Sequence, residues 1–391
     1  MRLGALLPFR QAAEQWRALL GVQVSASTVR EHTEQAGRGS LAVQTQQAHP
    51  LAACPEETPA ERMVMSADGA FVPLVAGEWG EVKLLAIGQV ETEAAGAQEQ
   101  DTSVHTTHLS SFARLSDAAT FSEQVSAQVR RRGIERAKEV CAVQDGAQWL
   151  VGLTCSHRHD ALQILDFAHA AERIAALGEL WVAAGQVLEA TWLESLLHRL
   201  KHEGPEAVVS LLEQRSQQAG KPQAMEEHVR YLRKRMAAMD YPAFQRAGWP
   251  IGSGMVASGN KLVMQARLKG AGMHWKPEQV NPMLALRMNL CNGRWEEGWQ
   301  DQTQWNRQAR ARLRRGKQQQ RFEQRQQAWL PVITPVVAAS PPLEAPKPLP
   351  GRTASHYRWG RQTFSPRMLR QGDLAKKSIT PVDVRRCFCC L

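Results

Sequence analysis

The sequence predicts an α/β protein: a mixed sheet interrupted by an all-helical insertion. Three stretches carry this. Residues 61–115 hold three apolar runs separated by turn-forming segments, the pattern of strands joined by hairpins. Residues 117–166 then alternate helix, strand, helix and strand, which adds parallel neighbours to a sheet. Residues 168–247 carry Leu, Ala and Trp at helical spacing, with breaks at Gly204-Pro205 and Gly220–Pro222.

Residues 1–40 read as a helical segment. Phe9, Ala12, Ala13, Trp16 and Leu19–Leu20 recur at helical spacing, and Gly21 breaks the pattern. Ser25-Ala26-Ser27-Thr28 then starts a second helix from Val29 to Ala36, which Gly37 is expected to stop. Its outward residues are expected to be Arg30, His32 and Thr33. The pair fits a DNA-binding helix-turn-helix or, equally, a helical hairpin packed on the core.

The core is expected to begin near residue 60 and run to 170. Arg62 to Leu74 is an apolar strand broken by Asp68-Gly69; Glu81 to Val90 is a second, and His105 to Leu115 a third. A helical stretch from Asp117 to Arg132 precedes the strand Glu139–Val143, which ends at Asp145-Gly146. Leu162–Leu165 ends at Asp166. The helical insertion spans 171–247, and residues 248–300 complete the core with a helix from Met255 to Arg267. Residues 301–330 form a basic helix. From 331 to 391 the chain is rich in Pro, Ala and Ser and reads as a disordered tail.

Composition narrows the function classes. The 391 residues are 43% hydrophobic, enough for a core, and the net charge is +10, from 48 Lys+Arg against 38 Asp+Glu. That balance suits a polyanionic partner. Seven cysteines stand without framework spacing: Cys54, Cys141, Cys155 and Cys291 are isolated, and Cys387, Cys389 and Cys390 crowd the end. An odd, scattered count points to a reducing compartment. No apolar run approaches the ~18 residues of a membrane span, and the N-terminus lacks a signal-peptide pattern. A soluble, cytoplasmic protein with no membrane partner is expected.

The chemistry resides in three aspartates expected at the C-terminal ends of strands: Asp68, Asp145 and Asp166. Carboxylates there stand on the sheet rim, where loops leave room for a substrate. Brought together, two of them are hard oxygen ligands for Mg²⁺, and a metal pair clamps both oxygens of an in-line phosphoryl displacement. A single Asp-Gly is ordinarily only a turn; the recurrence at strand ends, followed by Asp166-Phe-Ala-His169, favours chemistry. A second signal is Pro250-Ile-Gly-Ser-Gly254. Its glycines permit a tight loop into a helix N-terminus that favours phosphate, with Arg267 and Lys269 beyond it as backbone contacts. It lacks the Gly-Lys-Ser/Thr of a P-loop.

Six segments occur in order: Ser66-Ala-Asp68-Gly-Ala, Gln144-Asp145-Gly-Ala-Gln-Trp149, Ile164-Leu-Asp166-Phe-Ala-His169, Arg235-Met-Ala-Ala-Met-Asp240-Tyr, Pro250-Ile-Gly-Ser-Gly254 and Arg267-Leu-Lys269-Gly-Ala-Gly-Met-His-Trp275. Over roughly residues 1–300 this combination resembles bacterial insertion-sequence transposases of the DDE class, in particular the Kra-type group. The resemblance implies an RNase H-like core with a helical insertion before the last catalytic helix. It implies strand cleavage and joining at transposon ends, dependent on Mg²⁺ (or Mn²⁺), by an oligomer of like chains acting on double-stranded DNA near the bacterial nucleoid. By position Asp68 matches the first catalytic aspartate and Asp145 the second, both as metal ligands, with Asp166 as rival for the second place. Ser253, Gly254, Arg267 and Lys269 are expected to serve DNA contact or the architecture of the loop, and His169 to stand near DNA.

The departure lies at the third acidic position. The family pattern Gly-Ser-Gly-x-Val-Glu-Ser meets Ala257 where Glu belongs, and no Asp or Glu occurs from Tyr241 through Pro277. Asp240 and Glu278 flank the gap without the motif position. A methyl group cannot ligate a cation, so an impaired or inactive transposase is expected. Two other classes remain open: a catalytically dead protein that occupies transposon ends, which Ala257 favours, and an RNase H-like nuclease acting on RNA or junctions.

Other groups have blander readings. Cys155-Ser-His157-Arg-His159, with His105 and His108, lacks the paired spacing of a zinc site. Trp181, Trp192, Trp295, Trp299 and Trp305 sit at helical spacing and suit helix packing. Eight Arg or Lys residues against Glu323 lie between Arg307 and Gln327, including Arg312, Arg314 and Arg315. That imbalance favours a phosphate-backbone contact over a merely solvated face. Arg199, Lys201, Arg230, Arg233, Lys234 and Arg235 in the insertion suit DNA or a second subunit.

Overall fold

The computed structural model describes residues 1–49, 56–93, 103–220 and 223–329. The expected disordered tail from 331, with Cys387, Cys389 and Cys390, lies outside the described residues, as does Cys54.

Five strands form one mixed sheet in the order β3-β2-β1-β4-β5. β1 (Arg62–Pro73), β2 (Trp79–Glu93) and β3 (Ser103–Leu115) are antiparallel neighbours. β4 (Glu139–Gln144) runs parallel to β1, and β5 (Leu162–Leu165) parallel to β4. Being central, β1 is covered on both faces: Met63, Val64 and Met65 are consecutive and all buried, so the strand reads as an unbroken apolar run rather than an alternation.

One placement differs from the expectation. Asp68 does not end a strand. β1 pairs with β4 only from Arg62 to Met65 but stays paired with β2 to Pro73. Asp68 therefore stands inside β1, beyond the last β1–β4 pair, where the flank toward β4 is open. The hydroxyl of Ser66 bridges the start of that gap by donating to the Val143 carbonyl.

Helices α4 (Ala118–Gln124), α5 (Ser126–Arg132) and α6 (Gln148–His157) connect the later strands. The insertion is helical as predicted: α7 (Phe167–Ala183), α8 (Trp192–His202), α9 (Pro205–Gln218), α10 (Gln223–Arg233) and α11 (Tyr241–Arg246). It is not a separate body. One apolar core runs from Met65 and Leu85 of the sheet to Leu177, Trp181, Leu212 and Leu232 of the insertion.

The N-terminal segment departs from prediction in length and facing. After α1 (Arg2–Leu6) and α2 (Phe9–Leu20), α3 runs from Ala26 to Ala48, straight through Gly37. Gly37 marks a close approach instead: a Cβ there would lie 2.6 Å from the carbonyl oxygen of Pro282 in α14 (Pro277–Cys291). Thr33, expected to face outward, is fully buried and returns its hydroxyl to the Val29 carbonyl. The segment is packed on the core, as in the hairpin alternative, with Arg30 and His32 exposed.

After the loop at 248–253, the chain forms α12 (Gly254–Gly259), a π turn (Asn260–Gln265) and α13 (Ala266–Leu268). A π turn loosens the normal ladder and leaves carbonyls to be satisfied elsewhere. Buried Arg287 does this, donating to the carbonyls of Leu262 and Val263. α15 (Trp295–Trp329) joins two regions expected to be separate. Its first turns bond to α3, with the Gln302 amide donating to the Ala36 carbonyl at 2.9 Å. From Gly316 onward its described side chains are exposed, and Arg312, Arg314 and Arg315 are exposed as well. No described helix is long and apolar enough to cross a membrane.

Candidate active site

Asp68, Asp145, Asp166, His169, Ser253 and Ala257 all line one cavity of about 510 Å³. The sheet places the three aspartates: Asp68 past the β1–β4 pairing, Asp145 directly after β4, and Asp166 directly after β5. Parallel strands end side by side, so residues just beyond them share a rim. α12 approaches from the opposite wall and brings the exposed methyl of Ala257 to the same space. The convergence expected of Asp68 and Asp145 beside the helix that starts near Met255 is thus present.

The three carboxylates differ in their bonding. Asp166 is almost wholly buried and occupied. Its Oδ1 accepts the Ser253 N–H at 3.0 Å; its Oδ2 accepts the Ser253 hydroxyl at 2.9 Å and faces His169 Nδ1 at 2.7 Å. Burial acts to raise its pKa, but His169 and the two Ser253 donors outweigh it and hold the carboxyl below its ordinary range. Asp68 is the opposite case. Burial raises its pKa and the charge of Asp145 adds to the rise, against the Gly69 N–H, His169 and the Asn260 amide. Its two oxygens accept from Gly69 N–H at 2.7 Å and Asn260 Nδ2 at 2.8 Å. Asp145 accepts the Ala147 N–H on Oδ1 at 2.7 Å.

His169 is held toward its charged form, first by the bond to Asp166 and further by the nearby charge of Asp145. The cavity therefore holds two under-neutralised carboxylates, Asp68 and Asp145, beside an internally neutralised Asp166–His169 pair. Ser253 spends its N–H and hydroxyl on Asp166, a loop-architecture role, and His169 is tied to the same carboxylate through Nδ1. The glycine loop is also fastened there, since Phe167 N–H donates to the Ile251 carbonyl at 3.0 Å.

The helical insertion fixes the Asp145 turn. Gly146 takes the left-handed conformation (φ 77°), which glycine adopts without steric cost. Tyr231 of α10 donates its hydroxyl to the Asp145 carbonyl, and Arg235 Nη2 donates to the Gly146 carbonyl at 2.6 Å. Arg235 in turn lies 3.8 Å from the Tyr231 ring centroid, and Arg173 4.6 Å from it. Tyr231, Arg173 and Asn260 are site-supporting groups that sequence alone does not single out, and Arg235, expected at DNA or a second subunit, supports the turn instead.

Other expected positions fall elsewhere. Arg267 makes no outward contact: it is 2% exposed, donates to the Gly4 carbonyl at 3.0 Å and lies 4.6 Å from the Phe9 ring and 5.1 Å from the Trp275 ring. Burial lowers its pKa to about 10. Its role is to lock α1 and α2 onto α13, which overturns the expected DNA contact. Lys269 is exposed. Asp240 caps α11 by accepting the Ala243 N–H, Glu278 stands in the first turn of α14, and neither lines the cavity.

Asp68 and Asp145 suit one hard divalent cation, which needs one or two carboxylates with water and phosphate completing its shell. Among the described residues no group of three or more His, Cys, Asp or Glu side chains converges as an ion site. No protein-family model and no curated protein matches the sequence.

Proposed function

We propose that this chain is a DNA transposase of the DDE class, on an RNase H-like core, whose metal site has lost its third carboxylate. The observation that carries the proposal is that Asp68, Asp145 and Ala257 line one cavity. The positions that the motif order assigns to three acidic ligands thus meet in space, although they lie far apart in the chain. The strand order β3-β2-β1-β4-β5, with the last two strands parallel to β1, supports the RNase H-like assignment.

Asp68 and Asp145 would hold Mg²⁺ or Mn²⁺, which supplies charge neutralisation at the scissile phosphate. Asn260 and Gly69 orient Asp68. Ala147, Tyr231 and Arg235 fix the Asp145 turn. Asp166, tied to Ser253 and His169, anchors the glycine loop and is not a free ligand. Double-stranded transposon-end DNA is the proposed substrate, with the exposed cations of α15 as backbone contacts and a second copy of the chain as partner. Ala257 also favours a second reading, a protein that occupies transposon ends without cutting them.

The test is Ala257→Glu, assayed with the original chain for Mg²⁺- or Mn²⁺-dependent nicking of duplexes carrying the ends of the element that encodes it. Restoring a ligand is expected to raise the rate roughly 10²–10³-fold. Equal cleavage by both proteins discards the impaired-site proposal. End binding by both with cleavage by neither favours the occupying protein.

A further inference from the structure

A second cavity, of about 900 Å³, opens beside the carboxylate cleft and shares Lys201, Ile251, Gly252 and Gly254 with it. Its cations come from two insertion helices: Lys201 and His202 from the last turn of α8, and Arg246 from the last residue of α11. Among the described residues, none of those that line it is acidic. Arg199, also in the last turn of α8, is engaged by Glu203 at 3.1 Å. By contrast, no ion pair among the described residues involves Lys201 or Arg246. Cations in a concave wall, without a carboxylate partner among the described residues, raise the local potential for a polyanion.

The floor of this groove is braced by Arg62. Trp249 is buried under Arg62, whose guanidinium lies 3.8 Å from the ring. Arg62 also donates to the carbonyls of Ala247 and Gly248 and pairs with Glu139 at 3.1 Å. Gly254 stands at the junction of the two cavities. A Cβ built on it meets nothing within 4 Å, and its φ is not left-handed. The backbone therefore does not demand glycine there, but a large side chain would project into the shared passage.

We propose that this groove is the track along which a single polynucleotide strand enters the carboxylate cleft, with Lys201 and Arg246 on successive phosphates and His202 beside them. The volume suits roughly two nucleotides of one strand, since cavities of this size enclose ligands of drug-like dimensions. The proposal rests on the transposase reading and adds the substrate's form and its path.

The experiment measures the affinity of the full chain for a labelled single-stranded oligonucleotide and for the same sequence as duplex, by fluorescence anisotropy over a salt series. Lys201→Glu/Arg246→Glu is compared with Arg136→Glu/Lys138→Glu, an equal charge change ahead of β4, at the far end of the parallel strands from Asp145. The groove variant is expected to lose at least 10-fold in single-strand affinity. Its log–log salt slope should become shallower by about 1.4, at ~0.7 per lost phosphate contact on a single strand. Gly254→Leu, which adds bulk without charge, should lose single-strand affinity as well. The control should bind as the original chain does.

Unchanged single-strand binding in both groove variants, an equal loss in the control, or a loss confined to duplex would overturn the track while leaving nucleic-acid binding intact. An original chain that binds neither oligonucleotide would sink the transposase reading itself.

Discussion

Ser253 grips Asp166 twice, its backbone N–H on Oδ1 and its hydroxyl on Oδ2, at 3.0 and 2.9 Å. With His169 on the same carboxylate, the aspartate nearest the glycine loop is a structural clasp. Asp166→Ala should therefore cost stability, about 1–3 kcal/mol, because it strands half-buried donors and removes charge-assisted bonds. It should leave Mn²⁺ affinity within a few-fold. Asp145→Ala should do the reverse, lowering Mn²⁺ affinity with little loss of stability. Chemical denaturation and a Mn²⁺ titration of each variant check the pair; loss of Mn²⁺ binding in Asp166→Ala would make Asp166 the second ligand.

Asp68 carries the opposite signature, and its consequence is a stability that depends on pH. Folding raises its pKa, through burial and then the charge of Asp145, so the folded chain holds that proton more tightly than the unfolded chain. The stability from the bound proton is present below the ordinary aspartate pKa of about 3.9 and is lost as pH rises through the folded value. At neutral pH the fold bears an ionised, half-buried carboxylate. Asp68→Asn should relieve it and raise stability by about 0.5–2 kcal/mol at pH 7, the usual scale of functional-site strain. The Asn260 carbonyl, buried without a partner, becomes an acceptor for the new amide once Asn260 turns over. The advantage should shrink as pH falls toward about 4; a constant advantage across that range would exclude the electrostatic origin.

The insertion should tune the cation site from a distance. Arg235 holds the Gly146 carbonyl and packs on Tyr231, which holds the Asp145 carbonyl. Arg235→Ala frees the turn without touching a carboxylate. Supporting groups of this kind typically change metal affinity by 10–100-fold, so Mn²⁺ affinity should fall by about 10-fold while the unfolding midpoint in denaturant moves little. Mn²⁺ relaxation titration of the variant reads the difference directly, and an unchanged affinity would show that the turn holds its shape unaided.

The aspartates were legible in the sequence because Asp145 and Asp166 follow short apolar strands, where chain geometry forces residues to the rim. Asp68 was legible as a residue of the shared cavity but misplaced at a strand end, since a strand that outlasts one neighbour leaves no mark in its own residues. Asn260 was not legible: its reach to Asp68 depends on where the π turn begins, and that depends on Arg287, which lies in another helix. Arg267 misled for a related reason. A cation following a glycine-rich loop resembles a phosphate contact, whereas its aromatic partners are Phe9, from a distant segment, and Trp275, eight residues on. Tyr231 belongs to an amphipathic helix whose pattern fixes its apolar face but not the turn its polar residues support, and Arg235 follows just past that helix's end.

Gly37 was likewise expected to stop a helix, and the distinction between a stop and a contact can be measured. A Cβ at Gly37 meets the Pro282 carbonyl oxygen at 2.6 Å and its carbon at 2.8 Å. Neither atom yields easily, because both belong to the backbone of α14. Gly37→Ala should force α3 from α14 and cost about 1–3 kcal/mol, as overpacking does. Gly152 in α6 is the matched control: it is exposed, and its Cβ would meet nothing within 4 Å. There Ala should stabilise by about 0.5–1 kcal/mol through helix propensity alone. Opposite signs from the same substitution in two helices, read by denaturant unfolding, would identify Gly37 as a packing residue. A stabilising Gly37→Ala would mean instead that α3 does not lie against α14, and that the N-terminal segment is free to act as the alternative helix-turn-helix.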